Sequence, residues 1–433
     1  MRKLTLPADL KANQVNVLIP RAAVSIESVA QKVQEIIDDV KDNSLAALIA
    51  HAEQFDKVVP ESFRVPRAAM QDALTKLNPE LREAIEESIS RVKRVSEATL
   101  PKGGNLQLSE GAEVSQVFVP VDSVGLYVPG GKAVYPSSVI MNAVPAQVAK
   151  VPRIVVCSPA QLENGGLPNP TILATCEILG VDEVYAIGGA TAVAALAYGV
   201  PEIELEPVRM VTGPGNIFVA AAKRALRGVI GIDSEAGPTE ILIIADASAR
   251  ADFIAADLIS QAEHDENAAA VLVTDSKHLI DAVELEIARQ VPLAKNRDRI
   301  EVALAGEQSA LVLAESMEQA VFVANEYATE HLEIHTENAA EVAKQIRNAG
   351  AVFVGEHSPV SLGDYMAGSN HVLPTSEQAK FGPGLGVHTF LRPQQRISYS
   401  QSALHEIADL VDRFASAEGL DAHGTAAKIR FDH

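Results

Sequence analysis

Apolar positions along the chain predict its architecture. Val29, Val33, Ile36, Ile37 and Val40 recur at helical spacing, and residues 77–100 form a second long amphipathic segment, so residues 27–98 read as helical. Two short alternating stretches follow, around Leu106 and over residues 114–119, and predict a hairpin that turns at Gly111. From Val124 the pattern changes. Apolar runs at 124–128, 153–157, 183–187 and 208–211 alternate with helical stretches at 137–149, 171–179, an Ala-rich segment opened by Gly188-Gly189, and 217–226. The same grammar restarts near Glu240, with strands at 241–244, 270–273, 310–313, 332–335 and 351–354 and helices at 250–263, 277–290, 317–327 and 338–348. Strands that are apolar throughout and alternate with helices predict an α/β fold of parallel sheets covered on both faces. After about residue 385 the chain turns polar and then helical over 402–417, which predicts a separate tail.

Composition narrows the partners. A chain of 433 residues has room for several domains. Its net charge of −21 argues against nucleic acid or an anionic membrane as main partner, since both attract basic surfaces. Aromatic content of 4% without Trp leaves no stacking platform for single strands. Two cysteines, Cys157 and Cys176, cannot frame a disulfide scaffold, and both fall in apolar runs that read as core. The first residues carry charge but no apolar signal segment, and the uncharged stretch 184–201 is broken by Gly188-Gly189. The expected place of action is the cytoplasm or a similar reducing compartment.

Candidate chemistry lies at glycine turns and histidines. The GxGxxG fingerprint is absent, but Tyr127-Val-Pro-Gly-Gly, Ile187-Gly-Gly-Ala and Thr212-Gly-Pro-Gly-Asn sit at strand ends. The last two run into helix N-termini, whose free N–H groups suit a pyrophosphate. Ten of the eleven histidines lie after residue 260, several in polar segments. Gln261 and His264 are three apart and share a helix face. Glu330-His331 lies where a helix gives way to a strand, and Asp364 and His371 lie in a polar, Gly-rich segment. His423 stands in the tail. Mixed O and N donors without thiolate suit a divalent metal in a working site more than a closed structural one.

Several long motifs resemble the histidinol dehydrogenase family. They are Val128-Pro-Gly-Gly with Tyr135-Pro-Ser-Ser, Gly213-Pro-Gly-Asn, Ala236-Gly-Pro-Thr-Glu, Gln261-Ala-Glu-His-Asp, Glu330-His-Leu-Glu and Gly363-Asp-Tyr-Met-Ala-Gly-Ser-Asn-His. The resemblance runs from about residue 25 to the end. It implies oxidation of L-histidinol through L-histidinal to L-histidine with two NAD, in an enzyme that binds one zinc per subunit. By motif position the metal ligands are Gln261, His264, Asp364 and His423, and the proton-transfer pair is Glu330 and His331. Thr239, His371 and Glu418 fall at substrate-contact positions, as do the four metal ligands and His331. Tyr127, Thr191 and Asn216 fall at NAD-contact positions. The resemblance further implies a homodimer whose tail completes the partner's site. The implied fold has two Rossmann-like domains, one inserted in the other: residues 27–125 with 241–384, and the insert 126–240. Residues 1–26 and 385–433 form terminal extensions.

The chemistry is coherent with that resemblance. Alcohol to acid is a four-electron oxidation, hence two hydrides and two NAD. His331 suits the base that removes the alcohol proton, and Glu330 suits the base that activates water on the aldehyde. A zinc ion holding the substrate's imidazole and amine would fix the reacting carbon. A cysteine thiohemiacetal is the rival route, disfavoured by the apolar setting of both thiols. Three positions depart from the common pattern: Thr239 for Ser, Thr329 for Pro, expected to loosen the turn before Glu330, and Thr191 for Gln, which puts one NAD contact in doubt. The alternatives are a related dehydrogenase of another small alcohol and a zinc hydrolase with Glu330 as base. The hydrolase would leave the glycine-rich strand ends idle.

Overall fold

The computed structural model describes residues 1–22, 26–130, 134–235 and 237–431; Gly131 and Ala236, members of two motifs above, lie outside them. The strands are β1 (Arg2–Thr5), β2 (Gly104–Ser109), β3 (Ala112–Pro120), β4 (Ser123–Tyr127), β5 (Arg153–Ser158), β6 (Glu183–Ala186), β7 (Met210–Thr212), β8 (Gly231–Ile232), β9 (Glu240–Ala245), β10 (Ala269–Thr274), β11 (Ala310–Leu313), β12 (His331–His335), β13 (Ala351–Val354) and β14 (Leu391–Tyr399). They form a parallel sheet β6-β5-β4-β7-β8, a parallel sheet β1-β11-β10-β9-β12-β13 and a small antiparallel sheet β14-β3-β2. With β1 set aside, both parallel sheets follow the doubly wound order, third, second, first, fourth, fifth. β9 and β10 are buried at every position, which is why the sequence shows unbroken apolar runs there.

The lobes are assembled differently from the expected partition, which joins 27–125 to 241–384. The helix Ala30–Asn43 packs Val33, Ile36, Ile37 and Val40 into a core with Val155, Tyr185 and the helix Gly189–Tyr198, on the five-stranded sheet. Met70 and Ala73 of the helix Arg67–Lys76 join Val124, Leu126 and Val156. The helix Ala30–Asn43 lies against the Ala-rich helix Gly189–Tyr198, whose small side chains let it approach closely, while Arg67–Lys76 lies against the helix Pro170–Leu179. Residues 1–22 are not merely an extension either. β1 adds to the six-stranded sheet by pairing with β11, while Val15 and Ile19 fill the core beneath Tyr327.

Two further differences have local causes. The helix expected over 338–348 is only Ala339–Ala343, because Asn325 Oδ1 captures the backbone N–H of Arg347 at 2.7 Å and of Asn348 at 3.3 Å, turning the chain. β14 has no apolar alternation and is exposed along most of its length, so its strand character comes from a nine-residue register with β3. The hairpin at Gly111 forms as expected, with φ of 80° at the turn. Cys157 and Cys176 are fully buried free thiols.

The lobes face each other by opposite ends. The five-stranded sheet presents the carboxyl ends of β4, β6 and β7, while the six-stranded sheet presents the amino ends of β9 and β12.

Candidate active site

A cleft of about 1170 Å³ lies between these ends. From the five-stranded lobe it is lined by Tyr127, Gly188-Gly189, Thr191 and Pro214 to Asn216. From the other come Thr239, His264, Glu330, His331, Asp364 and His371.

Chain geometry before β12 delivers Glu330 and His331, the expected proton-transfer pair, to the cleft. The helix Met317–Tyr327 stops at Ala328, which is left-handed with φ of 49°. Register with β9 then sets Glu330 beside the Glu240 amide. Glu330 Oε2 accepts hydrogen bonds from Thr239 Oγ1 at 2.5 Å and from the Glu240 N–H at 3.0 Å. Burial pushes its carboxyl up to about 7 against those two bonds. His331 Nδ1 lies 3.3 Å from the Glu240 carbonyl. A carbonyl only accepts, so Nδ1 carries the proton and Nε2 keeps the basic lone pair. Burial lowers the His331 pKa, which keeps the ring neutral. The turn is not loosened by Thr329: that residue is fully buried and its hydroxyl donates to the Glu240 carbonyl at 3.3 Å.

The expected metal donors from one chain converge on the same place. Gln261, fully buried in the last turn of the helix Ala251–Ala262, donates from Nε2 to Thr239 Oγ1 at 2.5 Å. The single proton of Thr239 goes to Glu330, so its oxygen must accept from Gln261, which fixes the amide orientation. Gln261 Oε1 is then a buried acceptor without a donor. His264 Nε2 is 3.9 Å from Asp364 Oδ2, His371 Nδ1 is 3.7 Å from Asp364 Oδ1, and His371 Nε2 is 3.4 Å from Ser138 Oγ. An orphan amide oxygen beside an imidazole and a carboxylate is a donor set that fits a divalent cation. Glu418 and His423 are not brought here; both are exposed in the tail, at the end of the helix Gln401–Ala417 and in the helix Asp421–Lys428.

Of the expected NAD contacts, Tyr127 and Thr191 are buried against protein partners. The Tyr127 hydroxyl accepts from the Gly189 N–H at 3.1 Å, and Thr191 Oγ1 lies 3.0 Å from His51 Nδ1. Asn216 Oδ1 caps the helix Ile217–Leu226 through Phe218 and Val219. The preceding loop is pinned from both sides. Lys223 Nζ donates to the Gly213 carbonyl at 3.0 Å, Asp233 accepts the Gly213 N–H at 2.8 Å, and the two side chains form a buried ion pair. Gly213 has φ of 116°, and a Cβ there would stand 2.1 Å from the Tyr127 carbonyl oxygen.

Sequence reasoning missed a second buried cluster. Glu333 and His335 alternate with His331 along β12, and Asp257 precedes Gln261 by one helical turn. His335 Nε2 is 3.3 Å from Glu333 Oε2 and 3.8 Å from Asp257 Oδ2, and the three potential ligand atoms lie within 4.8 Å of one another. Glu333 Oε1 also accepts the Val360 N–H at 2.6 Å, at the start of the helix that carries Asp364. Burial pushes Asp257 up to about 8 and Glu333 up to about 7, and lowers His335. The period-two spacing of His331, Glu333 and His335 was the available signal.

A sequence profile of histidinol dehydrogenases matches residues 19–431. The chain belongs to the histidinol dehydrogenase family. It is 55% identical over 415 residues to the histidinol dehydrogenase of Corynebacterium glutamicum, covering 96% of this chain and 94% of that one. It is 54% identical over 432 residues to that of Thermobifida fusca, covering 99% and 98%. The crystal structure of the histidinol dehydrogenase from Elizabethkingia anophelis superposes with a TM-score of 0.94 at 30% identity, covering 99% of this chain and 98% of that one. Membership in the histidinol dehydrogenase family makes the chain an oxidoreductase of histidine biosynthesis. Among the described residues no helix is long and apolar enough to cross a membrane.

Proposed function

We propose that the chain is a zinc- and NAD-dependent histidinol dehydrogenase that oxidises L-histidinol through L-histidinal to L-histidine with two NAD. The observation that carries this is the Glu330–His331 pair, two buried bases of different chemistry at one cleft. His331 Nε2 takes the alcohol proton as the first hydride passes to NAD; its neutral ring and fixed tautomer suit that step. Water then adds to the aldehyde. Glu330, with a pKa raised to about 7, takes the water's proton before the second hydride leaves. Thr239 orients Glu330 and contacts substrate, as does His371.

Zinc would be held by Gln261, His264, Asp364 and the partner subunit's His423, and when bound it anchors the substrate's imidazole and amine. Tyr127, Thr191 and Asn216 stand at the NAD end of the cleft. Thr191 is shorter than the Gln of relatives, so its contact with NAD is indirect, through the wall it builds with His51. The chain acts as a homodimer in which Glu418 and His423 reach the partner's site. Their exposure, together with that of Ile397 (70%) and Phe414 (72%) on the same arm, supports this. No nucleic acid or membrane partner enters the reading. Two free cysteines suit the cytoplasm. A thiohemiacetal route is disfavoured because burial pushes the Cys157 thiol up and the Cys176 thiol up to about 12.

The deciding experiment supplies zinc-loaded protein with L-histidinol and counts NADH per histidine. Two NADH per histidine are expected. No NADH with zinc present would overturn the reading.

A further inference from the structure

The five-stranded sheet offers a dinucleotide the crevice between the ends of β4 and β7, its first and fourth strands. A dinucleotide lying there brings its adenosine ribose toward the end of the second strand. In this fold a carboxylate at that place accepts from the ribose 2′-hydroxyl and repels a 2′-phosphate. The second strand here is β5, which ends Cys157-Ser158 and runs into Pro159-Ala160, with no acid.

An acid arrives from another part of the chain. Asp56 ends the π-helical segment Ala52–Asp56 and lines the cleft. Its Oδ1 and the Cα of Pro159 both lie 3.3 Å from the point a Cβ on Gly188 would occupy. The carboxylate thus stands against the ends of β5 and β6, where the ribose acid of the fold belongs. It is partly buried and pushed up to about 6 by burial. Among the described residues no hydrogen bond or ion pair engages it. Among the described residues two lysines line the cleft and both are placed elsewhere: Lys57 Nζ donates to the Gln54 carbonyl at 2.7 Å, and Lys32 lies over the rings of Phe55 and Phe218. An unengaged carboxylate facing a cleft is a ready acceptor for a vicinal diol.

We propose that Asp56 sets nucleotide specificity, its carboxylate accepting the adenosine-ribose hydroxyls of NAD and excluding the 2′-phosphate of NADP. The inference rests on the dinucleotide reading of the cleft.

Its test measures kcat and KM for NAD and for NADP with zinc-loaded parent, Asp56→Asn and Asp56→Ala at saturating L-histidinol. The parent prefers NAD. Both variants are expected to raise KM for NAD about tenfold or more with kcat nearly kept, and to shift the NADP:NAD ratio of kcat/KM toward NADP by a similar factor. A purely structural Asp56 would lower thermal stability or kcat without moving that ratio, and an unmoved ratio in folded Asp56→Asn overturns the proposal. So does a shift produced by Glu163→Gln, the exposed acid at the cleft rim, and not by Asp56→Asn. A parent that reduces neither nucleotide would instead remove the dinucleotide reading itself.

Discussion

His331 and Glu330 are neighbours in sequence, yet their surroundings differ. The Glu240 carbonyl fixes the His331 proton on Nδ1, while the Glu240 N–H and Thr239 hydroxyl hold one Glu330 oxygen. His331→Asn keeps a polar group of similar size but has no lone pair of imidazole basicity. It is expected to lower kcat for L-histidinol about 10²–10⁴-fold while NADH formation from L-histidinal falls less; parent-like alcohol oxidation would remove His331 as the base. Asp257 makes a different prediction. Burial raises it from 3.8 to about 8, so the folded chain keeps a proton that the unfolded chain has lost. Its contribution to stability is therefore lost as pH rises from about 4 to 8. Asp257→Asn cannot ionise, and its melting temperature relative to the parent is expected to climb across that window and level off above it. A difference independent of pH would show that Asp257 does not titrate. Motifs singled out Gln261 and Glu330, and the fold joins both to Thr239. The Asp257–Glu333–His335 cluster was not legible, because only packing of the helix Ala251–Ala262 on the six-stranded sheet brings 257 beside 333 and 335.

Elements were legible to the degree that burial shaped their sequence. β9 to β12 are buried nearly throughout and were found at close to their true bounds. β1 and β14 were missed because pairing partners far along the chain create them, β11 and β3 respectively. The partition into lobes was misread for the same reason: amphipathic helices announce a buried face but not which sheet receives it. The Gly213 loop shows how an element at the cleft is held in place. Lys223 and Asp233 grip its carbonyl and its N–H, and their own charges are paired out of water. Lys223→Met removes one partner and strands the buried Asp233 carboxylate, an expected loss of about 3–5 kcal/mol in urea unfolding. The double change Lys223→Met with Asp233→Leu should recover part of that loss, since two apolar groups replace two charges. The loop would remain ungripped, so KM for NAD should stay raised in both variants.

Across the whole molecule, the lobes supply a cleft but not every expected donor. Gln261, His264 and Asp364 belong to one lobe, while His423 is carried away on an arm of β14 and two helices that present apolar side chains to solvent. An exposed arm bearing Phe414, Leu410 and Ile397 needs a covering surface, and a second copy of the chain supplies one if the arms are exchanged. Exchange has a consequence that ordinary dimerisation lacks: each site then uses Glu330 of one chain and the partner subunit's His423. A Glu330→Gln chain and a His423→Ala chain are each expected to be nearly inactive alone. Co-refolded, they form hybrids in which one site collects both lesions and the other collects none. With random pairing, half of the dimers are hybrid and half of their sites intact, so about a quarter of parental activity should return. Differently tagged chains purified in tandem would raise this to about half, the value for pure hybrids. If His423 instead serves its own chain, every site keeps one lesion, and purified hybrids stay as inactive as their parents.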